Sequence, residues 1–257
     1  MLSIRILGSG TSSGVPRIGP DWGACDPMEP RNRRTRASVL VRSATTTILV
    51  DTSPDMREQL IAAAVSDVDA VLWTHDHADH CHGIDDLRQV MHARSGTPVR
   101  GLARPFTFEQ LGKRFPYVFE GRGKFYPPVV ALEAMPDRFT IGDITVQVTD
   151  QPHGGITSAG LRFECGDKVI GYATDFHAMT PDMQALYTGL DVWVVDALRR
   201  APHPTHPDLD SVLGWIDALQ PARSALVHMD HSMDYATLVA ELPAGVEPGY
   251  DGLELHA

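Results

Sequence analysis

The run Thr74-His-Asp-His-Ala-Asp-His-Cys-His-Gly83 constrains this chain more than any other ten residues in it. Imidazoles and carboxylates packed this densely cannot be buried as charges without partners, and a divalent cation satisfies them together. In an extended chain His75, His77 and Asp79 fall on one side by alternation, and a turn brings His80 in beside them. The run follows the apolar stretch Val71-Leu72-Trp73 and stops at Gly83. An isolated His-x-His is more often a solvated loop; the longer pattern, with further ligand-type residues downstream, favours a shared metal site.

Those further residues repeat the same placement. Ile48 to Val50 leads to Asp51, Val169 to Ala173 to Asp175, Val192 to Val195 to Asp196, and Leu226-Val227 to His228. Polar residues just past the ends of buried strands converge on one rim in layered α/β folds, where function gathers. Short β-branched or apolar runs predict strands at Ser3 to Leu7, Ser38 to Val41 and Thr47 to Val50, and Gly142-Asp143 and Gly166-Asp167 read as hairpin turns. Ser53 and Pro54 open a predicted helix over Pro54 to Val65 with Met56, Leu60, Ile61 and Ala64 on its buried face, and Asp208 to Leu219 reads as a second.

The chain of 257 residues contains no repeat, low-complexity tract or linker, which predicts a single domain over 1–257. No apolar run approaches a membrane span, and the opening MLSIRILGSG lacks the basic start and long apolar centre of a signal peptide, so a cytoplasmic protein is expected. Cys25, Cys81 and Cys165 are too few for a disulfide framework. A formal charge of -11 disfavours a large nucleic acid as partner, while a small anion can still bind locally. Whether the chain pairs into a homodimer is left open by the sequence.

The segment His75-x-His77-x-Asp79-His80 with Gly83 resembles the signature of the metallo-β-lactamase superfamily, and the superfamily's other motifs follow in order as Asp51 in ILVDT, His153 in DQPHGG, Asp175 in YATDF and His228 in ALVHMDH. The resemblance implies an α/β fold, the four-layer αββα sandwich, and two divalent ions, zinc or manganese with iron allowed. It implies that His75, His77 and His153 hold one ion, Asp79, His80 and His228 the other, and that Asp175 bridges them. Asp51 would orient a ligand imidazole. His231, three residues beyond His228, is the alternative last ligand.

A nearer resemblance, to the phosphoribosyl 1,2-cyclic phosphate phosphodiesterases, rests on Leu7-Gly-Ser-Gly-Thr-Ser-Ser-Gly-Val-Pro16, the PRNRRTR stretch and Gly249-Tyr-Asp-Gly-Leu-Glu254. It implies a metal-dependent phosphodiesterase acting on a small phosphorylated substrate, with Asp79, Asp175 and His206 catalytic and His206 contacting the substrate. Metal would lower the pKa of water to about 7, and hydroxide bridging the metals would attack phosphorus. The relatives' N-terminal zinc knuckle is reduced here to Cys25 and His231, so that accessory site is expected to be absent.

Arg31, Arg33, Arg34 and Arg36 lie within six residues. Arg33 and Arg34 are therefore candidate phosphate contacts, against the plainer reading of a solvated basic loop. The Gly8 to Gly14 segment lacks the Lys-Ser/Thr of a nucleotide loop and reads as a turn near the metals; Cys81 reads as a small buried hydrophobe. The competing functions are a lactone or thioester hydrolase of the same fold and a non-catalytic metal- or nucleotide-binding protein.

Overall fold

The computed structural model describes residues 1–123 and 125–257. In chain order its strands are β1 (Ser3–Gly8), β2 (Ser38–Arg42), β3 (Thr47–Val50), β4 (Ala70–Trp73), β5 (Val99–Ala103), β6 (Val130–Ala134), β7 (Arg138–Ile141), β8 (Ile144–His153), β9 (Ile156–Cys165), β10 (Lys168–Ala173), β11 (Val192–Asp196), β12 (Arg223–Val227), β13 (Val246–Pro248) and β14 (Glu254–His256). The α-helices are α1 (Met56–Ala62), α2 (Ala78–Cys81), α3 (Leu87–Ala93), α4 (Pro105–Arg114), α5 (Pro116–Phe119), α6 (Pro181–Leu186), α7 (Leu209–Leu219) and α8 (Tyr235–Glu241).

Two seven-stranded sheets run β14-β1-β2-β3-β4-β5-β6 and β13-β12-β11-β10-β9-β8-β7. Each has an antiparallel half that gives way to a parallel one, at β3/β4 in the first sheet and β10/β11 in the second. The parallel strands need crossovers, and α1, α3 and α4 on one sheet and α6, α7 and α8 on the other supply them. Strand composition follows: Ala70–Trp73 and Val192–Asp196 are buried throughout, as parallel strands covered on both faces must be. In the antiparallel β8, Ile144, Val146 and Val148 alternate inward with less buried residues.

Three apolar layers result. Ile48, Val50, Leu72, Val192 and Val194 meet between the sheets. Leu49, Val71 and Trp73 face the helices of the first half, and Trp193 and Val195 those of the second. This is the αββα sandwich. The hairpins at Gly142-Asp143 and Gly166-Asp167 close β7/β8 and β9/β10.

The first predicted helix is corrected. It starts at Met56, where the Met56 N–H donates to Ser53 O, and its buried face is Met56, Gln59, Leu60 and Ala63. Ile61 is exposed because it lies off that stripe at 100° per residue, and Ala64 is exposed because the helix has ended, its φ being 53°. Gln59 replaces them, its amide bonded to Thr35 Oγ1, Arg36 O and Ser53 Oγ. The second begins as read, with Asp208 accepting from Ser211 N–H as cap.

Candidate metal centre

Asp51, His75, Asp175, Asp196 and His228 stand at or just past the C-terminal ends of β3, β4, β10, β11 and β12, so both sheets deliver them to one edge. Asp51, Asp175 and His228 have φ of 63°, 56° and 58°. Left-handed backbone at non-glycine residues is disfavoured and persists where surrounding contacts fix it, often at functional sites. His153 arrives at the end of β8, before the Gly154-Gly155 turn.

Asp175 is the centre of the cluster. Its Oδ1 lies 3.8 Å from His75 Nε2 and 3.7 Å from His153 Nε2, while Oδ2 lies 3.2 Å from His80 Nε2 and 3.6 Å from His228 Nε2. Asp79 Oδ2 completes the second set, 3.3 Å from His80 Nε2 and 3.5 Å from His228 Nε2. His77 Nδ1 completes the first, 3.3 Å from His153 Nε2. The donor atoms of His75, His77, His153 and Asp175 lie within 4.8 Å of one another, as do those of Asp79, His80 and His228.

These residues fit divalent metal. His75 Nε2 and His80 Nε2 are buried with no hydrogen-bond partner among the described residues. Such orphaned atoms are costly unless something absent from the chain binds them. Separations of 3.2–3.8 Å between a ring nitrogen and a carboxylate oxygen suit ligands sharing an ion at about 2.0–2.2 Å from each.

Outer contacts set the tautomers. His80 Nδ1–H donates to Asp51 Oδ2 at 2.7 Å, and His153 Nδ1–H donates to Thr205 O at 2.9 Å, leaving each Nε2 free toward the cluster. Burial holds the His75 pKa well below the ordinary value. Burial opposes charge on His228 too, but Asp175, Asp196 and Asp79 outweigh it and raise that pKa to about 9. His80 is likewise pushed well up against its burial, by Asp175, Asp79 and Asp51.

His206 Nδ1–H donates to Asp196 Oδ2 at 2.8 Å, which turns Nε2 to within 3.8 Å of Asp175 Oδ1. Asp196 also accepts from the Asp175 N–H at 3.0 Å. In the sequence Asp196 is marked only by the apolar run VWVVD that it ends, which shows a strand end and no role. Asp175, Asp196, His206 and His228 form a third compact group. A cavity of about 330 Å³ opens over the cluster between His77, His153, His206 and Ser12. Ser12 belongs to the Gly8 to Gly14 turn, which Asp251 anchors by accepting from Ser9 N–H, Ser9 Oγ, Thr35 N–H and Thr35 Oγ1.

The arginine-rich stretch is corrected. Arg34 is buried, donating to Met233 O at 2.6 Å and Asp230 O at 3.2 Å, so it is no phosphate contact. Arg33 is exposed, lies over the Trp22 ring at 5.3 Å and does not line the cavity. Arg31 stacks on Tyr235, and Arg36 pairs with Asp55 at 2.9 Å. Alternation sends the neighbours Arg33 and Arg34 to opposite sides, while Arg31 lies in the 3-10 turn Pro30–Asn32. His228, and not His231, joins the metal-type groups; His231 Nε2 lies 3.5 Å from Asp21 Oδ2. Arg34 Nη1 stands 3.8 Å from Cys25 Sγ.

Residues 46–229 match the Beta-lactamase superfamily domain. The chain belongs to the metallo-β-lactamase superfamily. It carries His/Asp clusters suited to metal, buried except at His77 and the half-buried His206. A solved diphosphatase of the PhnP family is 33% identical, with a TM-score of 0.90 over 99% of this chain and 96% of that one. Zinc-bound PqqB from Methylobacterium extorquens is 20% identical, with a TM-score of 0.78 over 99% of this chain and 100% of that one, a likeness of fold. A protein named octanoyltransferase from Porphyromonas gingivalis is 33% identical over 97% of this chain but 50% of its own length. The chain thus spans about half of that relative. No helix among the described residues is long and apolar enough to cross a membrane.

Proposed function

We propose that this protein hydrolyses a small phosphodiester with two divalent ions held by His75, His77, His153, Asp79, His80 and His228, with Asp175 between them. The observation that carries this reading is the division of Asp175, whose two oxygens face different histidine sets while His206 looks into the same cavity. When bound, the ions would supply Lewis-acid charge to phosphoryl oxygens and lower the pKa of water toward about 7.

The chain's own groups supply the rest. His206, carrying protons on both ring nitrogens, donates the Nε2 proton to the leaving oxygen, and Asp196, accepting from Nδ1–H, fixes the direction of the ring. A second cavity of about 260 Å³ shares Ser12 and His206 with the first and carries Arg17, Arg199 and His203. The leaving portion of an anionic substrate fits there, with Asp230 disfavouring a carboxylate pressed too close. A diphosphate linkage is the second reading, favoured by the 33% identical diphosphatase. Zinc, manganese or iron suits this ligand set, and a small phosphorylated molecule is the proposed partner.

The test is metal analysis of the purified protein with a screen of cyclic and linear phosphodiesters, dinucleoside diphosphates, lactones and thioesters. Phosphorus–oxygen cleavage that collapses in Asp175→Ala and His77→Ala is expected. Lactone or thioester turnover with no phosphodiester cleaved overturns the reading, as does tight metal and nucleotide binding without hydrolysis.

A further inference from the structure

His77 is exposed, unlike the other candidate ligands of its group, and its ring meets chiefly His75 and His153, at centroid distances of 4.6 and 5.0 Å. Those neighbours are candidate ligands themselves. His75 is fully buried and His153 is tied to Thr205, so burial and hydrogen bonding brace them independently. The position of His77 rests on its backbone. Downstream that backbone is held by α2, whose His80 N–H donates to His77 O at 3.0 Å.

Upstream, Thr74 is tied to Asp51 and Ala159, and Asp76, the residue next to His77, is held by Arg114 and Cys81. Arg114, the last residue of α4, donates from Nη1 to the carbonyl of Asp76 and from Nη2 to Asp76 Oδ2, gripping the residue between the two histidines at two points. The Asp76 carbonyl lies in the same rigid peptide plane as His77 N and Cα. Cys81 Sγ–H donates to that carbonyl at 3.4 Å, and burial keeps it a thiol by raising its pKa to about 12. Asp76 is nearly buried, whereas the Arg114 side chain is 41% exposed and can be changed without opening a core.

We propose that Arg114 is a positioning residue that holds His77 within reach of the ion shared with His75 and His153. It acts from a helix that contributes no ligand, and it acts on one ion of the two. This rests on the cluster holding metal and is independent of the bond cleaved.

The experiment titrates metal-free full-length protein with Co²⁺, following visible absorption and stoichiometry. R114A is expected to bind one ion about 10–100-fold more weakly, the range for loss of an outer contact to a metal ligand, with the second ion unchanged. H77A should weaken the same ion, and R114K should restore part of the affinity by keeping one contact. Wild-type affinity for both ions in R114A overturns the proposal, and so does equal weakening of both, which marks a general loosening. Should R114A fail to fold, D76N keeps the carbonyl contact and removes the charge pair, so it should weaken the same ion by a smaller factor. Unchanged binding there overturns the proposal. An H77A protein that still holds both ions overturns the ligand assignment of the centre, and the role of Arg114 with it.

Discussion

The Asp51 carboxylate reaches His75 through one hydroxyl: Oδ2 accepts from Thr74 Oγ1–H at 2.8 Å, which leaves Thr74 Oγ1 to accept from His75 Nδ1–H at 3.0 Å. The same Oδ2 accepts from His80 Nδ1–H at 2.7 Å. One buried carboxylate therefore sets the tautomer of a histidine in each metal-type group and points both Nε2 atoms into the cluster.

Asp51→Asn tests this coupling. Asparagine tolerates the left-handed backbone at this position, where φ is 63°, so the strand end should survive. The carboxylate meets three donors with two oxygens, Thr74 N–H on Oδ1 and Thr74 Oγ1–H with His80 Nδ1–H on Oδ2; the amide keeps one acceptor oxygen and sets an N–H donor against the rest, so affinity for both ions should fall about 10–100-fold. Competition with a chromophoric chelator measures it. Loss at one ion alone would show that the Thr74 link does not transmit orientation to His75.

The charge on His228 gives a pH dependence in the metal-free protein. Its folded pKa is raised from 6.5 to about 9 by Asp175, Asp196 and Asp79 against the pull of burial. That contribution to stability is fully present below 6.5 and is lost as pH rises through about 9. Metal must displace this proton, so uptake at neutral pH should release protons and affinity should rise with pH over the same interval. Calorimetry in buffers of different ionisation enthalpy reads the release directly. An observed enthalpy that is the same in all of them would contradict the charge state assigned to His228.

The parts of this site legible in the sequence were those written in short spacing. The run from His75 to His80 and its position after β4 could be read because a buried parallel strand is a continuous apolar run and its end is abrupt. Gly83 could be read as a stop but not explained: a Cβ there would lie 2.0 Å from Ser53 O, a contact between segments thirty residues apart. The pairing of Asp196 with His206 was hidden for the same reason, since spacing does not report that a loop folds back onto its own strand end. The adjacent Arg33 and Arg34 suggested a shared phosphate site, yet in extended backbone neighbours point to opposite sides, one to the surface and one to the interior. Local pattern reports periodicity; which side of the chain is covered depends on partners distant in sequence.

Arg34 and Arg33 should therefore part company. Arg34→Ala removes a buried guanidinium from two carbonyls and from Asn32 Oδ1 at 3.3 Å. Asp230 O keeps the Met233 N–H and Asn32 Oδ1 keeps the Tyr235 N–H, but Met233 O loses its donor at a cost of about 1–3 kcal/mol and a buried side chain is emptied, so the thermal midpoint should fall by several degrees. Arg33→Ala should change stability by less than about 0.5 kcal/mol, because its cation lies at the surface over Trp22. Thermal unfolding of the two variants distinguishes them, and equal midpoints would place Arg34 outside the buried network described.

His206 is distinguished from a ligand by its choice of leaving group. If Nε2 protonates the departing oxygen, His206→Ala should slow cleavage of esters with alkyl leaving groups by about 10²–10⁴-fold. A nitrophenolate departs without a proton at neutral pH and should lose less than about tenfold. Asp196→Asn removes the acceptor that fixes the ring, and should reproduce the same split with a smaller loss for the alkyl esters. Metal content must be measured alongside, because His206 also lies within 4.8 Å of Asp175, Asp196 and His228 as a group able to hold an ion. Retained metal with selective loss on alkyl esters assigns the proton; a parallel loss of metal and of both activities assigns His206 to the metal centre instead.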